Sequence, residues 1–141
     1  MYLDSAYIAK YYVNEHDSGA VRALIQRADS LVSSAWSIGE VTCVFHRHMR
    51  ENALSPVQCR ELTRAFLRHV ETGIWTLIPV TEAFLKRMSG FVSAAPPHVF
   101  LRAGDAVHLA TARELGEHEI WTNDRHLLRA AEHFGLLGRS A

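Results

Sequence analysis

Short apolar runs alternate with longer helical patterns along almost the whole chain. Five of these runs are predicted strands: residues 1–3, 30–33, 75–80, 119–122 and 136–137. Between them, apolar residues recur at helical spacing, as Val21, Leu24 and Ile25 do within residues 18–28. Strands that alternate with helices predict an α/β fold with a mostly parallel central sheet. The length of the chain favours a single domain over residues 1–141.

Capping residues indicate where the helices begin and end. Ser55 and Pro56 have the N-cap and first-turn chemistry that starts a helix, and Gly73 marks its end. Ser37 and Glu40 have the spacing of a capping box, so a helix is predicted to begin there. The other predicted helices cover residues 5–13, 18–28, 82–91, 105–115 and 125–134.

Composition argues against several classes of protein. The 15 basic and 15 acidic residues give a formal net charge of +0, so a polyanion would have to be held locally or through a metal. Cys43 and Cys59 are isolated and indicate neither a zinc site nor a disulfide framework. We recognise no signal peptide and no apolar run long enough to cross a bilayer, so we expect a cytoplasmic protein without a membrane partner.

Four acidic residues are predicted to meet at one edge of the sheet. Asp4 and Asp124 follow predicted strands, whereas Glu40 and Asp105 lie at the starts of predicted helices. In an open parallel sheet, strand ends and the starts of the following helices gather along one edge, where ligands bind. Each acid could instead be only a helix cap or a capping-box residue, because Asp and Glu favour those positions for their own sake.

A cluster of four carboxylates favours a metal site. The carboxylates would repel one another, and some would have to hold protons. A divalent cation removes that conflict, and Mg²⁺ and Mn²⁺ prefer hard oxygen ligands. Near a phosphate, such an ion stabilises the charge of an in-line displacement and activates a water molecule. The pattern therefore favours metal-assisted phosphodiester hydrolysis.

Four motifs resemble the PIN-domain family, and most closely its VapC-type toxins. They are Asp4-Ser5-Ala6, Ser-Ile-Gly-Glu-Val around Glu40, Gly-Asp-Ala-Val-His-Leu-Ala-Thr-Ala around Asp105, and Thr122-Asn123-Asp124-Arg125-His126-Leu127. The motifs match in order and spacing over nearly the whole chain. The resemblance implies a three-layer α/β/α sandwich and a magnesium-dependent endoribonuclease that cleaves RNA phosphodiesters with a metal-activated water. It also implies the toxin of a toxin–antitoxin pair, a homodimer silenced by a small antitoxin protein.

The resemblance also assigns roles to individual positions. It implies four catalytic acids that are also the ligands of Mg²⁺, with Mn²⁺ as the alternative ion: Asp4, Glu40, Asp105 and Asp124. Thr122 and Ser5 match supporting hydroxyl groups near the family's site. Three basic residues close in sequence to the acids are predicted RNA contacts: Lys10, Arg102 and Arg125.

Two further residues of the Asp105 motif bear on the site. His108 lies three residues after Asp105 on a similar helix face, and it could be a metal ligand or a general base. We favour a buried histidine with satisfied ring nitrogens, which is the commoner case. Gly104 stands where the family commonly has a bulkier residue, and we expect this difference to leave activity intact.

Other functions remain open from the sequence. A non-catalytic protein-binding module of the same fold would tolerate Asp→Asn at the acidic positions, because Asn caps helices as well as Asp. A related metal-dependent nuclease could act on DNA, and a substrate without the 2′-hydroxyl would separate the two activities. A phosphoacceptor domain is disfavoured because residues 91–141 contain no lysine.

Overall fold

A computed structural model describes residues 1–141 and contains a five-stranded, wholly parallel sheet. Its strands are β1 (Tyr2–Leu3), β2 (Val32–Ser34), β3 (Thr76–Ile78), β4 (Glu119–Trp121) and β5 (Leu137–Arg139). Their order across the sheet is β3-β2-β1-β4-β5. The chain thus winds outward from β1 in one direction and later crosses back to continue in the other, which makes β1 a topological switch point.

Seven α-helices connect and flank the strands. They are α1 (Ser5–Tyr12), α2 (Ser18–Ile25), α3 (Ser37–Arg50), α4 (Pro56–Glu71), α5 (Glu82–Ala94), α6 (Ala103–Glu114) and α7 (Arg125–Ala130). A short 3₁₀ helix, Ala131–Phe134, continues α7, so the helix predicted over 125–134 changes its hydrogen bonding after Ala130. None of the helices combines the length and the apolar character that a membrane span requires.

The predicted capping is confirmed at the start of one helix and is wrong at the start of another. Ser55 caps α4 and forms a reciprocal capping box with Gln58. At α3 the predicted box is absent, because Trp36 occupies the N-cap position without a side-chain hydrogen bond. The hydroxyl of Ser37 is buried and lies 2.9 Å from that of Ser33, so tertiary contacts replace the local cap.

Two apolar clusters lie on opposite faces of the sheet. Adjacent residues of a strand point to opposite faces, and accordingly Tyr2 joins one cluster while Leu3 joins the other. Helices α5, α6 and α7 contribute to the cluster around Tyr2, and α1 to α4 contribute to the cluster around Leu3. Helices therefore cover both faces, which confirms the α/β fold and the three-layer PIN-like sandwich.

Strand β1 has only two residues and nevertheless occupies the centre of the sheet. It pairs with β2 through Tyr2 and with β4 through Tyr2 and Leu3. The backbone N–H of Asp4 extends the second pairing by donating to the carbonyl of Trp121 at 3.1 Å. This register brings the residues that follow β1 and β4 side by side at the carboxyl edge of the sheet.

Candidate active site

Asp4 lies directly after β1 and is held on both carboxylate oxygens. One oxygen accepts from the backbone N–H of Tyr7 at 2.8 Å and so caps α1. The other accepts from the hydroxyl of Thr122, which follows β4. The cap interpretation is therefore correct for Asp4, and it is compatible with a place in the cleft described below.

Burial gives the Asp4 carboxyl an unusual electrostatic environment. The residue is 5% exposed. Burial raises its pKa above the ordinary value for aspartate, and the hydrogen bond from Thr122 and the proximity of His108 only partly oppose that rise. A positive charge placed next to this carboxyl would favour its ionised form.

Glu40 lies in the first turn of α3 and reaches two partners with one oxygen. Its Oε2 accepts from the hydroxyl of Ser5 at 2.6 Å and lies 2.9 Å from Nε2 of His108. Burial would raise the pKa of Glu40, but hydrogen bonds from His108 and Ser5 outweigh it and lower the pKa. Glu40 is therefore ionised at neutral pH.

His108 is a buried link between the sheet and Glu40. It is 3% exposed, and its Nδ1 lies 3.1 Å from the hydroxyl of Tyr2. A neutral ring can satisfy both neighbours if Tyr2 donates to Nδ1 while Nε2–H donates to Glu40. This agrees with the favoured interpretation of a satisfied histidine, and it adds a role in orienting Glu40.

Arg102 bridges the other two acids. Asp105 lies in the first turn of α6, and its Oδ2 accepts from the backbone N–H (3.1 Å) and Nε (3.0 Å) of Arg102. A terminal nitrogen of the same guanidinium donates to Asp124 at 2.5 Å. These ion pairs raise the pKa of Arg102, with Asp105 contributing most.

Asp124 also caps α7. Its Oδ1 accepts from the backbone N–H groups of His126 (2.7 Å) and Leu127 (3.3 Å). Burial would raise the pKa of Asp124, but the hydrogen bond from His126 and the Arg102 guanidinium prevail and lower the pKa. Asp124, like Glu40, is therefore ionised at neutral pH.

All four acids border one cleft of about 290 Å³. Its lining is Asp4, Ser5, Ala6, Glu40, Val44, Arg102, Gly104, Asp105, His108, Asp124 and Leu127. Thr122 is fully buried behind Asp4. Two predicted RNA contacts lie outside the lining: Arg125 is exposed at the start of α7, whereas Lys10 is buried with its Nζ 6.0 Å from the ring centre of Tyr7.

Sequence reasoning missed two residues that shape this cleft and the steric role of a third. The hydroxyl of Ser37 lies 3.0 Å from that of Ser5 and supports it. Tyr2 contacts His108, and no sequence signal marks that role. Gly104 is the third, because a Cβ atom there would lie 2.5 Å from Oε1 of Glu40. Its departure from the family pattern was the signal that could have revealed it.

The four carboxylates are suitable ligands for a divalent cation, although each of them already accepts hydrogen bonds from other residues. Carboxylate oxygens are the ligands that Mg²⁺ and Mn²⁺ prefer. No group of three or more His, Cys, Asp or Glu side chains is assembled as a metal site. The Arg102 guanidinium bridges Asp105 and Asp124, so the cleft already stabilises positive charge between two acids. The chemistry of these donors therefore suits a cation, and such an ion would have to displace Arg102 from Asp105 and Asp124.

Comparisons with known proteins identify the family of the chain. A model of the PIN domain family matches residues 1–133. Ribonuclease VapC46 of Mycobacterium tuberculosis is 31% identical over 138 residues, which cover 96% of this chain and 93% of the relative. The crystal structure of VapC20 from the same organism, a Sarcin-Ricin loop cleaving toxin, superimposes with a TM-score of 0.71 at 14% identity, covering 92% of this chain and 93% of that one. The chain belongs to the PIN-domain family, and within it to the VapC-type ribonucleases.

Proposed function

We propose that the cleft is the active site of a magnesium-dependent endoribonuclease, the toxin of a toxin–antitoxin pair. The supporting observation is that acids from four separate segments, Asp4 to Asp124, line one cleft at the carboxyl edge of the sheet. The names of two similar proteins, a ribonuclease and a Sarcin-Ricin loop cleaving toxin, support the same activity.

In this proposal the acids divide into two roles. Asp4 and Asp105 are the principal ligands of Mg²⁺ or Mn²⁺, and Glu40 and Asp124 complete the acidic site. The bound ion would supply charge stabilisation for an in-line displacement at phosphorus and would make water more acidic.

The other residues orient these acids and bind substrate. Thr122 fixes the orientation of the Asp4 carboxylate. Ser5 and His108 hold Glu40 ionised, so that it can orient and deprotonate the attacking water. Arg102 has a side chain that is 55% exposed, and it can turn from the acids toward an RNA phosphate.

The partners follow from the same proposal. RNA is the substrate, and a small antitoxin protein would silence the toxin by covering the cleft, in a complex with a homodimer in the cytoplasm. Purification of the chain from its native host tests whether it has an antitoxin partner. We expect a small protein to copurify, and a chain that purifies alone and active would contradict the antitoxin assignment.

The decisive experiment is cleavage of a labelled RNA pool by purified protein. We expect cleavage with Mg²⁺, none with EDTA, and none by Asp105→Asn, which keeps the shape of the side chain while removing its charge. Asp29→Asn is the matched control, because Asp29 is exposed and outside the cleft. A DNA pool of the same sequences tests the requirement for the 2′-hydroxyl. Metal-dependent RNA cleavage by Asp105→Asn at the wild-type rate would refute the proposal.

A further inference from the structure

An exposed aromatic pair lies beside the active-site cleft. Phe100 is 55% exposed, although burial of an aromatic ring of this size would stabilise the protein. Its ring packs against His126, with ring centres 4.5 Å apart and planes inclined by 44°. We call Phe100 and His126 the aromatic platform. Neither residue has a part in the proposed chemistry.

Arg102 connects the aromatic platform to the cleft. Its guanidinium carbon lies 5.9 Å from the ring centre of Phe100, and its nitrogens reach Asp105 and Asp124. His126 follows Asp124 by two residues and donates its backbone N–H to that acid. A group resting on the platform would therefore lie next to whatever occupies the cleft.

The platform borders a second hollow, of about 430 Å³. This volume falls within the range of small-molecule sites, roughly 300–1,000 Å³. The hollow is also lined by His98, Arg129, Glu132 and His133.

The charge around the platform matches a nucleic acid. Three exposed arginines lie beside it: Arg102 near the ring of Phe100, Arg125 with its Nε 3.4 Å from Nε2 of His126, and Arg129 in the lining of the hollow. Arg102 is also paired with Asp105 and Asp124. The one acid of the hollow, Glu132, lies 3.6 Å from Nε2 of His133. Aromatic rings with basic side chains around them are how proteins hold single-stranded nucleic acid, with bases on the rings and phosphates on the cations.

We propose that the aromatic platform binds an unpaired base of the RNA next to the nucleotide whose phosphate enters the cleft. This inference rests on the proposed function, since it takes RNA as the occupant. Phe100 and His126 supply the stacking surface, and Arg102 receives the adjoining phosphate. The platform would contribute affinity with little selectivity among bases, because every base has a face that can stack.

A comparison of the affinities for an RNA with bases and for one without bases tests the platform directly. The probes are a fluorescein-labelled twelve-nucleotide oligoadenylate and an abasic ribose-phosphate oligomer of the same length, with affinity read by fluorescence anisotropy. All proteins carry Asp105→Asn to prevent turnover. We expect Phe100→Ala to weaken oligoadenylate binding roughly fivefold or more and to leave abasic binding unchanged.

Two matched variants separate stacking from a general effect on the surface. Phe100→Trp keeps an aromatic face and should bind oligoadenylate as tightly as Phe100. Val57→Ala removes a comparably exposed apolar side chain, 54% exposed and outside both hollows, and should change neither affinity. If Phe100→Ala weakened the binding of both oligomers equally, the ring would have a structural role and the inference would be overturned.

The outcomes also distinguish this inference from the proposed function. Metal-dependent RNA cleavage by the wild type, together with unchanged oligoadenylate affinity in Phe100→Ala, overturns the platform and leaves the nuclease proposal standing. The exposed ring would then be a candidate contact for a protein partner. Base-dependent binding through Phe100 without any cleavage supports the platform and contradicts the nuclease proposal.

Discussion

Gly104 leaves room for the Glu40 carboxylate, so Gly104→Ala should disturb the cleft while sparing the fold. The new Cβ would lie 2.5 Å from Oε1 of Glu40, which forces that carboxylate to move. Its other oxygen is held by Ser5 and His108 at 2.6 and 2.9 Å. The movement would therefore break or lengthen two hydrogen bonds to a charged group.

Three contributions determine the size of the effect. Alanine in place of glycine stabilises a helix by roughly 0.5–1 kcal/mol. Hydrogen bonds to a charged group contribute about 1.5–3 kcal/mol each, but the Glu40 side chain is 36% exposed, which reduces this. Ser5 and His108 also remain 3.0 Å apart and can still bond each other. We expect Gly104→Ala to be about 1–2 kcal/mol less stable than a matched helical Gly→Ala variant.

Gly39→Ala is the matched control variant, because Gly39 lies in the first turn of α3 and a Cβ atom there would have no other atom within 4 Å. Calorimetric melting should place Gly104→Ala about 3–6 °C below Gly39→Ala. Mn²⁺ affinity and RNA cleavage should fall in Gly104→Ala alone. Equal melting temperatures with unchanged affinity and cleavage would refute the reasoning. That result would mean that Glu40 has other room to move.

Three further predictions use other contacts of the cleft and core. Arg102→Gln removes the cation that bridges two cleft acids, so calorimetric titration should show Mn²⁺ binding severalfold tighter; equal or weaker binding would argue against competition. His108→Ala removes a buried ring that contacts Tyr2 and Glu40 and should cost about 2–4 kcal/mol in urea unfolding. Burial raises the pKa of Tyr12, so the folded state favours the neutral phenol and stability should fall as pH rises above about 10. Tyr12→Phe should lose less melting temperature than the wild type between pH 8 and 11, and parallel profiles would contradict this.

Much of the fold follows from patterns that are local in the sequence. The alternation of short apolar runs and helical stripes predicts the parallel sheet, and Ser55 with Pro56 predicts the start of α4. The error at Ser37 has a tertiary cause. Its hydroxyl bonds other buried serines, and nothing in the residues around Ser37 reveals those distant partners.

The convergence of the four acids at one cleft could be predicted because their positions depend on topology. Residues after parallel strands and at the following helix starts gather at one edge whatever their detailed packing. The contacts among them could not be predicted, because they depend on distances between segments far apart in the chain. The bridge made by Arg102, the link from Tyr2 through His108, and the clearance at Gly104 are of this kind.

Direct measurement of Mn²⁺ binding tests the central claim, that the acidic cleft holds a divalent cation. Mn²⁺ can be followed by electron paramagnetic resonance, since bound and free ions give different signals, and no RNA is needed. We expect saturable binding by the wild type and by Asp29→Asn, and a large loss of affinity in Asp4→Asn and Asp105→Asn. Equal Mn²⁺ affinity in all four folded proteins would contradict the claim.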